Sequence, residues 1–366
     1  MLYFLQNNIV SLRTFCKNEK VRKIVKLAIV ILNWNGKKFL EQFLPSLVAR
    51  TPQWAEIIVA DNASTDDSLA FMAERYPDIR IIRNDKNYGF ATGYNVALAQ
   101  VEAEYYCLLN SDIEVAEGWV EPVIELLDSD PQIAAVQPKI LSFSDRQHFE
   151  YAGASGGYLD KYGYPFCRGR VFGTIEKDNG QYDTRADIFW ATGAAMFVRS
   201  SVYRTLGGLD DDFFAHMEEI DLCWRIRNHG YRIVVEPHSV VYHVGGGTLP
   251  KNNSFKTFLN FRNNHYLLIK NLPAKRLLPT FLMRLILDNV AAFTFLLQGH
   301  AKDFTSVYKA HFEIFKNYAK FKAKRAGQSF DAFRDVWHTP ILIEYHLRGR
   351  HFFDGTLFLK KQEDHD

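Results

Sequence analysis

Cysteine is scarce in this chain. Its 366 residues include four, Cys16, Cys107, Cys167 and Cys223, far apart and with no CxxC spacing. That argues against a zinc cluster or a disulfide scaffold and fits a reducing compartment. Net charge is almost absent as well: Lys+Arg 44 against Asp+Glu 42 leaves +2, which gives no case for nucleic-acid binding. The start, Met1-Leu2-Tyr3-Phe4-Leu5, has neither the basic flank nor the apolar length of a signal peptide, so a cytoplasmic or cytosol-facing protein is expected. There is no GxxxxGKS or GxxxxGKT motif and no GxGxxG after the first strand. A P-loop kinase or ATPase and a dinucleotide dehydrogenase are thereby disfavoured. No internal repeat or low-complexity tract occurs.

What is present is a packed globular composition, 47% hydrophobic and 23% charged, long enough for one large α/β domain with an appendage. Aromatics reach 14%, with Phe 29 the largest share, and could serve sites that stack flat rings or touch lipid. The even charge hides an asymmetry. Residues 1–245 carry 25 basic and 32 acidic groups, whereas residues 246–366 carry 19 and 10. The break falls at Gly245-Gly246-Gly247. Such a basic back half could face an anionic partner, or the two halves could be ordinary solvated surfaces that differ.

Along the front half, strands and helices alternate. Leu27 to Leu32 is a continuous apolar run, as in a strand buried on both faces, and Asn33-Trp34-Asn35-Gly36 ends it. Phe39, Phe43, Leu44 and Leu47 follow at helical spacing. Further strands are expected at Glu56–Ala60, Ile79–Arg83, Tyr105–Leu109, Met196–Val198, Ile233–Val235 and Val240–Tyr242. Helices are expected at Ser68–Tyr76, Gly93–Ala103 and Phe214–Asn228, the last closed by Gly230. Residues 142–190 read as loops and short strands. Beyond Gly247 helices are expected at 254–271, 275–299, 301–324 and 329–346. The fold class is thus α/β, a doubly wound sheet with a mainly helical C-terminal region, and ligands should sit at the carboxyl ends of the strands.

The polar residues at those ends carry the chemistry. Asp61 and Asp112 end two strands, where each could bind a sugar hydroxyl or base, ligate a hard cation, or simply cap the next helix. Glu218, Glu219 and Asp221 crowd one turn near a helix start, where acidic residues are ordinary. Asp221 and Arg225, four apart, should pair. A buried glutamate here could instead act as a general base. His243 ends a strand before the glycines and is a candidate metal ligand or a structural histidine.

Seven ordered runs carry a resemblance: LAIVILNWNG, EIIVADNASTDDS, NYGFATGYNVAL, YYCLLNSDIEV, FWATGAAMFVR, FFAHMEEIDLCWRIRNHGYRI and VVYHVGGGT. Together they resemble glycosyltransferase family 2 over residues 26–247, and the LLN-x-D form resembles the rhamnosyltransferase branch and related surface-polysaccharide enzymes. The resemblance implies a GT-A fold and an inverting, metal-dependent transferase that uses a nucleotide-diphosphate sugar. It implies that Leu32, Asn33, Trp34 and Asp61 hold the nucleotide, with Asn87, Gly89 and Asn95 beside the donor. Asn110, Ser111 and Asp112 stand at the DxD position, with Asp112 and His243 ligating Mn2+ or Mg2+. Glu219 stands for the catalytic base, with Glu218 beside it and Trp190 on the acceptor side to stack on a sugar. Arg168 and Arg170 could add diphosphate contacts or lie in solvent. Two departures stand out: Asn110 replaces an Asp, removing a charge from the metal site, and Glu219 replaces an Asp, lengthening the base by a methylene. The alternatives are a nucleotide-sugar-binding module without turnover and a nucleotidyltransferase.

Three segments follow from this reading: an N-terminal extension over 1–25, a catalytic domain over 26–247, and a basic helical region over 248–366. The run Leu277 to Leu297 is nearly long enough to span a membrane, but Arg284 and Asp288 lie near its centre on one helical face. With Lys320, Lys322, Lys324 and Arg325 nearby, the expectation is peripheral docking on the cytoplasmic face of a membrane. The alternatives are a packed helical subdomain and a contact between copies. The expected partners are the sugar donor and a sugar or lipid-linked acceptor, with no nucleic acid.

Overall fold

The computed structural model of the chain describes residues 24–245, 253–325 and 332–353. The expected N-terminal extension lies almost entirely outside them, as do Gly246 and Gly247. In chain order the elements are β1 (Val25–Asn33), α1 (Lys37–Arg50), β2 (Ala55–Asp61), α2 (Ser68–Arg75), β3 (Arg80–Arg83), α3 (Gly89–Leu98), β4 (Ala103–Asn110), β5 (Ile113–Val115), α4 (Glu121–Ser129) and β6 (Ile133–Ser142). Short strands follow: β7 (Gly157–Leu159), β8 (Pro165–Cys167), β9 (Arg170–Val171), β10 (Thr174–Ile175) and β11 (Ala186–Asp187). Then come β12 (Ala195–Arg199), α5 (Ser200–Thr205), α6 (Glu218–Asn228) and β13 (Arg232–His243). The C-terminal helices are α7 (Ser254–Asn271), α8 (Ala274–Leu297), α9 (Ala301–Ala323) and α10 (Ile341–His346).

The main sheet runs β11-β13-β6-β12-β4-β1-β2-β3, with β5 paired to β13. Strands β3, β2, β1 and β4 are parallel, with Leu32 opposite Asn110 and Asn33 opposite Asp61. Strand β12 then runs antiparallel to both β4 and β6, so the sheet is mixed. Side chains alternate across β1: Leu27, Ile29 and Ile31 join the core under α1, α2 and α4. Ala28 and Val30 join the opposite core under α3, α6 and the C-terminal helices. A strand buried on both faces needs an apolar residue at every position, which is why the run is continuous.

Several boundaries differ from the sequence expectation, and each difference has a tertiary cause. Helix α3 begins at Gly89, not Gly93, because the N–H of Phe90 finds the carbonyl of Phe214 at 2.9 Å. Helix α6 begins at Glu218, since Phe214, His216 and Met217 all hold φ near +70°. The two strands expected at 233–235 and 240–242 are one strand, β13, with an irregularity between Glu236 and Val240. The helix expected over 329–346 is instead a 3-10 turn, Ala332–Asp335, and the short α10 after Pro340; part of that range is outside the described residues.

Helices α7, α8 and α9 close around one buried carboxylate. Asp288 Oδ2 lies 2.7 Å from His265 Nε2 and 3.3 Å from His311 Nε2, and its Oδ1 lies 3.2 Å from Arg284 Nη2. Arg284 also donates to the carbonyl of Tyr162 at 2.9 Å, tying α8 to the loop beneath the sheet. His265, Asp288 and His311 have metal-ligand chemistry. However, Arg284 already neutralises the aspartate, and each imidazole turns its Nε2 to it. The basic cluster expected to meet lipid is partly spent on the protein itself, with Lys320 and Lys322 still exposed. Lys320 pairs with Asp212, Lys324 with Asp210 and Asp212, and Arg325 donates to the carbonyls of Ile269 and Leu272. The acidic 210–212 turn drew these cations, a contact invisible in the linear charge pattern.

Asp288→Ala is expected to cost about 3–5 kcal/mol, the penalty of leaving Arg284 buried and unpaired. Thermal unfolding of the full chain checks it; an unchanged Tm would show that Asp288 does not organise the three helices.

Candidate active site

The carboxyl ends of β1 and β2 meet in a buried amide–carboxylate pair. Asn33 is fully buried and its Nδ2 donates to Asp61 Oδ1 at 3.3 Å and to Ser64 Oγ at 3.1 Å. Asp61 Oδ2 accepts the Ser64 N–H at 3.0 Å. Leu32 is half-buried and Trp34 is exposed at the same strand end. Asn62, which sequence reading passed over, organises the neighbouring loop. Its Nδ2 donates to Asn87 Oδ1 and to the Gly89 carbonyl, each at 3.0 Å, while its Oδ1 accepts from Asn84 Nδ2 and Tyr88 N, each at 3.1 Å. Gly89 has φ +75°, and a Cβ there would lie 2.7 Å from the Phe214 ring, so only glycine fits. Asn95 stands apart from this group. Its amide is spent on Leu209, Asp211 and Tyr203, so it pins the 203–211 segment instead of facing the donor loop.

A second cluster forms where β4 ends beside β13. His243 Nε2 lies 3.2 Å from Asp112 Oδ1 and 3.5 Å from Asn110 Nδ2. Its Nδ1 lies 3.3 Å from Glu150 Oε2. Ser111 lies near Gly36 at the end of β1, and Val244 N donates to the Asp112 carbonyl at 3.1 Å. Burial alone would lower the His243 pKa, but the hydrogen bonds and charges of Asp112 and Glu150 outweigh it and push the imidazole up to about 10. The donor set fits a divalent cation once that imidazole proton is displaced, since only the neutral ring can be a ligand. Glu150 on Nδ1 would fix the ring so that Nε2 and the Asp112 carboxylate face one ion, the usual carboxylate–histidine–metal arrangement. Glu150 sits 93 positions before His243 in an irregular segment, and no local pattern pointed to it.

The third group is the start of α6. Asp221 is fully buried, yet its carboxyl is held below the usual range: burial raises it, but Lys270 and Arg225 outweigh that. Arg225 Nε is 2.8 Å away, as the four-residue spacing predicted, and Lys270 Nζ and Asn271 Nδ2 each lie at 2.7 Å. Glu218 and Glu219 have no such compensation. One carboxylate oxygen of each is buried without a hydrogen-bond partner. Burial pushes the Glu219 carboxyl up to about 7. Burial, followed by the charge of Glu219, pushes Glu218 well above the ordinary carboxylate range. Neighbouring carboxyls with separated pKa values can divide proton-accepting and proton-holding roles.

The loop that delivers these glutamates is held from outside the sheet. Asn263 Nδ2 on α7 lies 3.0, 2.8 and 2.7 Å from the carbonyl oxygens of Phe213, Ala215 and His216. Asn263 and the loop's left-handed backbone escaped sequence reading, because neither is encoded by a nearby pattern. The Gly193 backbone brings the groups together: a Cβ there would meet Phe90 at 3.0 Å and Glu219 Cβ at 3.8 Å, and the next residue, Ala194, accepts the Asn110 N–H at 2.9 Å.

Three expected contacts are not formed. Trp190 is 3% exposed, packs flat against Gly157 and donates its indole N–H to the Tyr158 carbonyl at 2.9 Å, so it presents no face to a sugar. Arg168 and Arg170 are neither solvent-exposed nor at the strand ends. Their guanidiniums are buried against carbonyls of Tyr182, Thr184 and Tyr151, and stabilise the irregular segment.

Asn263→Leu is expected to strand buried carbonyls at about 1–3 kcal/mol each and to loosen residues 213–217. Hydrogen exchange should show faster exchange in that loop; unchanged protection would remove Asn263 from its role.

Residues 28–206 match the family model described as Glycosyl transferase family 2. The chain is 26% identical over 235 residues to N-acetylglucosaminyl-diphospho-decaprenol L-rhamnosyltransferase of Mycobacterium tuberculosis, a match covering 59% of this chain and 75% of that protein. It is 24% identical over 242 residues to the low-salt glycan biosynthesis hexosyltransferase of Haloferax volcanii, covering 65% of this chain and 73% of that one. Among solved structures it resembles GalNAc-T7 with UDP, GalNAc and Mn2+, with a TM-score of 0.59, 16% identity and 89% of this chain covered. The match spans 58% of that neighbour's chain, and the likeness is one of fold, the GT-A arrangement.

Proposed function

The chain belongs to glycosyl transferase family 2, and from that premise we propose that it is an inverting glycosyltransferase of cell-surface polysaccharide or glycolipid synthesis. It moves a hexose or deoxyhexose of the rhamnose type from a nucleotide-diphosphate sugar to a hydroxyl of a sugar carried on a lipid diphosphate. The relative from Mycobacterium tuberculosis, whose name specifies such an acceptor, supports the lipid-linked class. One observation carries the reading: beside a fully compensated Asp221, Glu218 and Glu219 keep partnerless oxygens and raised pKa values. A module that only binds donor has no use for uncompensated carboxylates, which cost stability.

In this reading Asn33, Asp61 and the Asn62-ordered loop with Asn87 and Gly89 seat the nucleotide at the ends of β1 and β2. Asp112 and His243, with Asn110 and Ser111 alongside and Glu150 orienting His243, would hold a divalent cation. That cation would supply positive charge for the departing nucleoside diphosphate. Glu219 takes the proton of the acceptor hydroxyl as its oxygen attacks the anomeric carbon from the face opposite the leaving group. Glu218, its pKa higher, keeps its proton and leaves Glu219 the single negative charge. The rigid setting of both loops supplies proximity.

Glu219→Gln should lower kcat about 10²–10⁴-fold while donor affinity stays within about twofold. A base works in its deprotonated form, so wild-type kcat/KM should rise with pH up to about 7 and then level off. Retention of more than half of wild-type turnover by Glu219→Gln would place the base elsewhere. Asp112→Ala and His243→Ala should both weaken Mn2+-dependent binding of nucleoside diphosphate, Asp112→Ala more, since it removes charge as well as a ligand. Calorimetry with and without Mn2+ checks this, and equal wild-type affinity in EDTA would mean that no cation takes part.

A peripheral site on the cytoplasmic face of a membrane fits the helical region. Helix α8 is long and apolar enough to cross a membrane by length and composition. Arg284 and Asp288, however, face the bundle, while Leu278, Leu282, Ile286, Val290, Phe293 and Leu297 form an exposed stripe at helical spacing. A helix packed on one side and apolar on the other lies in the interface. Ile286→Glu should reduce flotation with anionic vesicles at least fivefold, an estimate from burying about one large side chain. Flotation equal to wild type would rule the stripe out.

A further inference from the structure

A second feature of the helical region lies outside the site described so far. Between α7 and α9 runs a groove of about 710 Å³, walled by Phe258, Phe304, Tyr308 and Phe312, with Lys309 and Glu313 as its charged members. It is an open groove and not an enclosed pocket. Phe312 is 69% exposed and Tyr308 is 38% exposed, although water disfavours such rings unless something covers them.

Phe258 on α7 and Phe304 on α9 stand at one level, where Thr257 Oγ1 donates to Asp303 Oδ1 at 2.6 Å, and aromatic contacts lead away from them in two directions. Phe258 stacks beside Phe255 (ring centroids 6.0 Å), and Phe255 meets Phe214 edge-on at 6.4 Å. Phe214 is the residue whose ring covers Gly89 and whose carbonyl starts α3, so these contacts reach the candidate active site. Arg262, its guanidinium 5.2 Å from the Phe258 ring and 3.0 Å from the Phe213 carbonyl, stands at that junction, and Lys256 follows Phe255 on the same helix. In the other direction Phe304 meets Phe293 at 5.8 Å, and Phe293 belongs to the exposed stripe of α8. A chain of aromatic contacts thus links the exposed stripe to the catalytic loop, with cations where it reaches the loop.

We propose that this groove is the acceptor-chain subsite, which takes the first isoprene units of a prenyl-diphosphate-linked acceptor. The apolar chain lies along the rings and the diphosphate falls beside Arg262 and Lys256, bringing the attached sugar to Glu219. This rests on the acceptor class proposed above. The arrangement would let the enzyme collect its acceptor from a membrane surface without extracting the whole lipid. Aromatic walls suit a branched, unsaturated chain, whose methyl groups and double bonds pack on ring faces.

The test uses the full chain in detergent solution, so that vesicle docking does not contribute. Farnesyl diphosphate with a diazirine at its far end is photocrosslinked and the labelled peptides are mapped. Label should fall within α7 or α9, and Phe312→Glu, at an exposed position tolerant of charge, should reduce it about tenfold, as loss of one large apolar contact would. In parallel, KM is measured for acceptors with the same sugar diphosphate on a geranylgeranyl or a citronellyl chain. Phe312→Glu should raise KM for the long chain about tenfold and leave kcat and the short-chain KM unchanged. Label elsewhere, or a long-to-short ratio indifferent to Phe312→Glu, overturns the subsite even if transfer to lipid acceptors is robust. Label in the groove with no transfer to either acceptor keeps the subsite and defeats the reaction reading. Equal labelling by a diacylglycerol diazirine overturns the prenyl assignment.

Discussion

The contact between Asp221 and Lys270 ties the two parts of this molecule into one working unit. Asp221 is fully buried on the helix that starts with Glu218 and Glu219, and a lone carboxylate there would be intolerable. Lys270 and Asn271 on α7, with Arg225 on the same helix, give it charge and hydrogen bonds at 2.7–2.8 Å. Lys270 also reaches Asp210 at 2.7 Å, so one ammonium holds both the helix and the turn that precedes it. Because Asp221 is satisfied, the positive charge near this turn is spent on it and not on the two glutamates. Burial then raises the Glu219 carboxyl with no cation to offset it.

The same logic explains why the catalytic loop can be strained. Phe214, His216 and Met217 occupy left-handed backbone that no single contact would justify. Asn263 collects three of the loop's carbonyls, Phe214 gives its own carbonyl to the start of α3, and Gly89 makes room for the Phe214 ring. Donor loop, catalytic loop and helical region thus meet at Phe214. A disturbance of the helical bundle would reach the glutamates through two residues.

The charge asymmetry of the chain takes a different meaning in three dimensions. Lys270, Lys320 and Lys324 meet Asp210, Asp212 and Asp221, so part of the basic surplus of the back half neutralises an acidic turn of the front half. Beyond Lys275 and Arg276 at its start, the outward face of α8 is mainly an apolar stripe. Attachment to a membrane would accordingly draw more on burial of Leu, Ile, Val and Phe than on attraction to anionic lipid.

Most strands and helices to residue 245 were legible because a strand buried on two faces demands an unbroken apolar run; β5, α4, β6 and α5 were not, and in β6 the buried Gln137, Pro138 and Lys139 interrupt that run. The groups at strand ends, Asn33 with Asp61 and Asp112 with His243, were legible for the same reason: parallel strands in one sheet bring their carboxyl ends to one edge. The roles of Trp190, Asn95, Arg168 and Arg170 were not. Each is a side chain whose partners lie far along the chain, and a motif records residue type without the direction in which the side chain points. Glu150, Asn62 and Asn263 went unnoticed because hydrogen-bond partners 22 to 93 residues away leave no periodic trace. Sequence alone determined the layers, the edge where chemistry gathers and the carboxylates available there. Tertiary structure decided which carboxylate is ion-paired and which are left without a cation, because that depends on where Lys270 folds back, and local propensity has no term for a contact 49 residues away.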